Sequence, residues 1–170
     1  MARVEGLMRS WLAGLVVVLS SSVAFAQQPA APAANARTYV SAADVTALIA
    51  KAKAERKDQP LLAQSLIQLA PYNVSLEYRA SVGNAAVHET EAELFYVVDG
   101  SATLVTGGKL TKETRTNAEN LTGAGIDGGT SRRVAKGDFI MVPEGTPHWF
   151  SAIDGTVVLM SLHLPHGQKR

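Results

Sequence analysis

The sequence predicts an all-β fold, a small antiparallel barrel or sandwich with one helix ahead of it. Two observations carry that reading. After Pro60 the chain becomes a succession of short runs rich in β-branched and aromatic residues, at 65–69, 73–78, 94–98, 102–106, 139–142, 148–151 and 156–163, separated by turn residues. No helix-forming segment lies between the later runs, so the crossovers that a parallel α/β sheet requires are missing.

The chain has 170 residues, room for one ordinary domain. It is 46% hydrophobic and 18% charged, which excludes a disordered chain. It has no cysteine, which excludes disulfides, thiolate metal sites and Cys nucleophiles together. Sixteen basic against fifteen acidic residues give no electrostatic basis for binding nucleic acid.

Residues 1–26 read as a signal peptide. Arg3 and Arg9 form a basic start, 11–19 is a short apolar core, and Ala24-Phe25-Ala26 has the form of a signal-peptidase site. The apolar run falls short of the ~20 residues that span a bilayer. Cleavage removes two basic and one acidic residue and leaves a neutral mature chain. The expectation is a periplasmic or secreted protein with no membrane role once the signal is gone. Residues 27–37, with two prolines and no periodicity, read as a disordered Ala/Pro linker, and 38–170 as a single domain.

The helix is expected over 42–56. Ser41 and Asp44 form a capping box with Asp in place of the usual Glu, Val45, Leu48 and Ile49 share one face, and basic residues collect at the C-terminal end. Within the β region, Asp99-Gly100 is the strongest hairpin signal. The polar, glycine-rich stretch 107–137 reads as an ordered hairpin insert or a lid. Its Gly123-x-Gly125-x-x-Gly128 fails the dinucleotide reading because no helix follows. Two Asn-x-Ser/Thr sequons start at Asn73 and Asn120.

Chemistry points to the four histidines, His88, His148, His163 and His166. In 137–148, Gly137-Asp138 turns the chain, the apolar residues through Val142 predict a buried strand, and Pro143 and Gly145 shape a tight turn that aims His148. This G-x5-P-x-G-x2-H spacing resembles the second motif of the cupin superfamily. Residues 85–100 resemble the first motif, best at Glu93-x6-Gly100. The two motifs and their connection cover 85–152, about half of the mature chain.

The resemblance implies a small antiparallel cupin β-barrel, a double-stranded β-helix or jelly roll, with metal ligands H-x-H and Glu from the first motif and His from the second. Here one imidazole of the pair is missing. Either Ala86 holds the first position and His88 the second, or His88 holds the first and Thr90 the second. Ala152 stands where an Asn often ends the second motif. The set that remains is His88, Glu93 and His148. It suits Fe(II), Mn(II), Zn(II), Ni(II) or Co(II), with positions open to water and substrate.

Strand alternation puts Glu89, Glu91 and Glu93 on one face and His88 on the other, so His88 and Glu93 converge only across a bulge or turn. Glu89 or Glu91 would replace the lost ligand only if the strand bends there. His163 is a fourth ligand, an outer donor or, the favoured reading, a core residue; His166 is a solvated tail residue. If Glu93 and His148 face inward, so do Phe95, Val97 and Phe150, while Tyr96 and Trp149 face outward and are available for a homodimer contact, which the family also implies. Either Tyr78 or Arg79 completes the pocket for a small-molecule ligand. Two functions follow. One is a metal-dependent enzyme of dioxygenase, isomerase or lyase type. The other is a non-catalytic periplasmic small-ligand-binding protein with a degenerate or empty metal site. An adhesive surface module ranks third.

Overall fold

The helix begins where its cap dictates. In the computed structural model, which describes residues 36–166, α1 (Ala42–Glu55) opens on Ser41, whose hydroxyl accepts from the Asp44 N–H while the Asp44 carboxylate accepts from the Ser41 N–H. Asp thus closes the capping box that Glu usually closes. Val45, Leu48, Ile49 and the fully buried Ala52 form the face that packs onto the sheet. The expected signal peptide, 1–26, lies outside the described residues, as does the linker except for its last two positions. Arg37 belongs to the fold, since it forms a two-way backbone bridge with Gln68.

Eleven strands follow, β1 (Leu61–Leu69), β2 (Tyr72–Arg79), β3 (Ala85–His88), β4 (Glu91–Thr106), β5 (Lys109–Thr111), β6 (Thr114–Arg115), β7 (Asn120–Gly123), β8 (Gly125–Asp127), β9 (Thr130–Ala135), β10 (Phe139–Val142) and β11 (His148–Pro165). Every pairing is antiparallel, and the larger sheet runs β1-β2-β11-β3-β7-β6, with β4 joined to β11, β9 and β10. This is an all-β, jelly-roll arrangement with one helix. Among the described residues no helix is long and apolar enough to cross a membrane.

Two apolar layers divide the side chains by alternation. On β2, Leu76 and Tyr78 turn toward α1, with Leu66 and Val158. The interior holds Phe95, Val97, Leu104, Val134, Phe150, Val157 and Leu159. Tyr78 therefore belongs to the helix layer and not to the cavity around His88 and His148. Arg79, one residue on, turns the other way.

Three expectations need correction. Asp99-Gly100 closes no hairpin, because β4 runs through it unbroken. Opposite it the register passes from Ile153↔Ala102 to Val157↔Gly100, so β11 bulges by Asp154–Thr156 and both strands bend together. Gly100 has φ +78, and a Cβ there would lie 2.0 Å from the Thr156 carbonyl oxygen. The positive φ that a hairpin turn would use serves a bend instead.

The run 139–142 is no buried strand. Among the described residues β10 pairs only with β4, and Phe139 and Met141 are 70% and 52% exposed, with the Tyr96 ring tilted against that of Phe139, centroids 4.6 Å apart. Its inward residues are Ile140 and Val142. Trp149 does not lie open on the outer face either. Its indole N–H donates to the Gly83 carbonyl at 2.9 Å, and its ring covers Gly125, where an added Cβ would sit 3.2 Å from it. Between 107 and 137 the chain is ordered as β5 to β9, an insert of short paired strands rather than a lid.

Candidate metal centre

Local chain geometry brings the centre together. His88 ends β3, residues Glu89 and Thr90 turn, and β4 restarts at Glu91. That turn reverses the parity that would otherwise put His88 and Glu93 on opposite faces. His148 opens β11 directly after the Pro143–Pro147 turn. The Gly145 N–H of this turn donates to the His88 carbonyl at 2.7 Å, which ties the two segments together.

Glu93 Oε2 lies 3.1 Å from His148 Nε2 and 3.3 Å from His88 Nε2. One ligand atom from each of the three residues falls within 4.8 Å of the others. Each imidazole is held from behind. His88 Nδ1 donates to Asn120 Oδ1 at 2.5 Å, and His148 Nδ1 donates to the Thr146 carbonyl at 3.2 Å. With both Nδ1 atoms engaged in this way, both Nε2 atoms face the carboxylate.

Glu93 is 3% exposed. Its Oε1 accepts from the Ser161 hydroxyl, while its buried Oε2 has no hydrogen-bond partner among the described residues. Burial works to raise its pKa, but His148, His88 and Ser161 outweigh burial and hold the carboxyl well below the usual carboxylate range. For His88, burial works to lower the pKa, and Glu93 and Asn120 outweigh it, leaving a net rise. An ionised, buried carboxylate oxygen flanked by two Nε2 atoms calls for a permanent positive centre. A divalent cation supplies one, so the donor set fits a metal.

The other candidates fall elsewhere. Glu89 forms a forked pair with Arg115 at 2.7 and 3.0 Å, turned away from the centre. Glu91 pairs with His163 Nδ1 at 3.0 Å. Neither replaces the missing imidazole. His163 is no core residue: it is half-buried, sits edge-on to the His88 ring at 4.6 Å, and brings Nε2 to 3.5 Å from Glu93 Oε1. His166 is exposed and bonds Glu144. Ala86, two residues before His88 on β3 and paired with His148, lines the same cavity as His88.

A cavity of about 630 Å³ opens on the centre and is lined also by Glu77, Arg79, Asn84, Ala86 and His163. A second, of about 520 Å³, lies beyond His88 and His163 and is lined by Asn73, Asn117 and Asn120. Phe95 and Phe150 are packed beneath these groups rather than lining them, with Phe95 6.0 Å from the His148 ring and 5.5 Å from Phe150.

Sequence reasoning passed over Glu77, Asn120 and Ser161. Glu77 and Ser161 were accessible through parity, as partners at two residues' distance from Arg79 and His163. Asn120 showed only as a sequon.

The sequence matches the family described as Cupin over residues 53–169. No curated protein matches it. Among solved structures it is similar to a Bacillus halodurans protein, at 15% identity over 82% of this chain and 90% of that one, with a TM-score of 0.50. It is similar also to KdgF from a Halomonas species, at 17% identity over 65% and 84% of the two chains and TM-score 0.48. A third is a cupin superfamily protein from Desulfitobacterium hafniense, at 16% identity over 63% and 79% and TM-score 0.46. At these identities the likeness is one of fold.

Proposed function

The chain belongs to the cupin family, and from that premise we propose that it binds one divalent transition metal through His88, Glu93 and His148 and acts on a small organic substrate. The orphaned Glu93 Oε2, buried between two Nε2 atoms, carries this reading. Fe(II), Mn(II), Zn(II), Ni(II) and Co(II) all accept two imidazoles and a carboxylate. A bound metal would supply Lewis-acid polarisation or O₂ activation at its open face.

The chain's own residues do the rest. Asn120 and the Thr146 carbonyl fix the tautomers, and Ser161 holds Glu93 in one orientation. Ala86 leaves the cavity open beside the centre.

A second reading, a non-catalytic small-ligand-binding protein with a degenerate or empty metal site, is favoured by that same alanine, which provides no fourth ligand. Elemental analysis of untagged protein separates the two. The expected result is about one equivalent of metal, lost in His148→Ala. No metal in the wild type after incubation with Fe(II), Mn(II) and Zn(II) selects the second reading. Export is part of the proposal and rests on the 1–26 pattern. So is a homodimer, supported by the exposed Phe139 and Met141 and tested by light scattering.

A further inference from the structure

Among the described residues, Arg79 is the one guanidinium that faces the cavity of the metal centre. Its Nε and Nη2 both contact Glu77 Oε2, at 2.9 and 2.7 Å. Its Cζ lies 4.7 Å from the centroid of the Phe150 ring, within cation–π reach. A guanidinium has five N–H donors, and this arrangement leaves Nη1 for a further acceptor. The side chain is 14% exposed, so it sits largely out of bulk water, where a charge-assisted hydrogen bond counts for more.

The cavity wall carries this guanidinium against two carboxylates, Glu77 and Glu93, and three imidazoles. A divalent cation at the centre would place a second positive group on that wall, so the loaded cavity would hold two positive anchors, the metal and the Arg79 guanidinium.

We propose, building on the metal reading above, that the substrate is a small monoanionic organic acid whose carboxylate is held by Arg79 while another oxygen faces the metal centre. Arg79 is then the residue that selects acids over neutral molecules. Glu77 is a positioning residue that holds the guanidinium by its Nε and Nη2.

The test is calorimetric titration of the Mn(II)-loaded full chain with lactate and benzoate, each set against its neutral amide. The expected result is that the acids bind at least about tenfold more tightly than the amides. Arg79→Met loses that preference and keeps the wild-type amount of Mn(II), since Arg79 holds no metal. Because this variant leaves Glu77 without its partner, Arg79→Met with Glu77→Gln is titrated beside it, and Mn(II) uptake reports that each variant is folded. Equal binding of acids and amides by the wild type overturns the proposal, as does undiminished acid preference in the double variant. If the wild type takes up none of Mn(II), Fe(II) and Zn(II), the metal reading fails by itself. The metal-free titration then decides: acid preference lost with Arg79 keeps the anion site, and its absence removes it.

Discussion

His148 and His88 offer the same atom to the same carboxylate oxygen, yet they are held in different ways. His148 is buried, and its Nδ1 donates to the carbonyl of Thr146, two residues back in its own turn. His88 is half-buried, and its Nδ1 donates to a side chain 32 residues away, Asn120 on β7. One orientation is encoded within the turn that precedes the histidine. The other depends on the insert folding back so that β7 pairs with β3 in the register His88↔Asn120. A local arm survives most changes elsewhere; a remote arm is only as firm as the insert.

Glu93→Gln strikes both arms at once and has the largest expected effect. The carboxamide keeps the shape but puts no anion between the two Nε2 atoms. Metal affinity, measured by competition with a chelator, is expected to fall beyond the about 100-fold that marks the loss of an outer partner. Retention of wild-type affinity would remove Glu93 from the ligand set.

The contrast between the arms is sharpened by a pair of smaller changes. Asn120→Ala removes the acceptor that holds His88 Nδ1 and is expected to weaken metal binding about 10- to 100-fold. Thr146→Ala keeps the backbone carbonyl that serves His148 and is expected to leave affinity unchanged. Equal losses in both variants would show that the two histidines are supported alike.

The same difference explains what could be read from the residues alone. His148 was legible because everything that aims it, from Gly137 to Pro147, is contiguous. The gap from His88 to Glu93 was legible as a parity problem, and the Glu89-Thr90 turn is its solution. The helix was legible because its cap and its apolar face are local. Strand alternation separated Tyr78 from Arg79 but could not say which faced the helix, since both faces of β2 are covered, one by α1 and one by the interior. Asn120 was illegible because its role arises only from β3–β7 pairing. The Asp99-Gly100 bend was misread for a related reason. Asp-Gly with positive φ suits a hairpin and a bulge equally, and the matching bulge at Asp154–Thr156 lies more than fifty residues away. β10 looked buried because its composition is apolar, yet burial is decided by a neighbour, and its outer edge has none among the described residues.

The smallest expected effect concerns that bend. Asp154 accepts from the Ser101 hydroxyl at 2.8 Å and pairs with Arg133 at 2.7 Å, linking the bulge of β11 to β4 and β9. The Ser101 hydrogen bond, with Arg133, holds its pKa below the ordinary 3.8. A carboxylate whose pKa is lower in the folded than in the unfolded chain contributes stability above the unfolded value and loses it as pH falls through the folded one. Asp154→Asn is therefore expected to leave the thermal midpoint almost unchanged at pH 7, because these groups are exposed and screened. Below pH 4 the wild type should lose midpoint more steeply than the variant. A parallel acid decline in both would mean that the bend is held by its backbone alone. In that case Gly100 and the register shift would account for it, and the remote contact from Arg133 would be incidental.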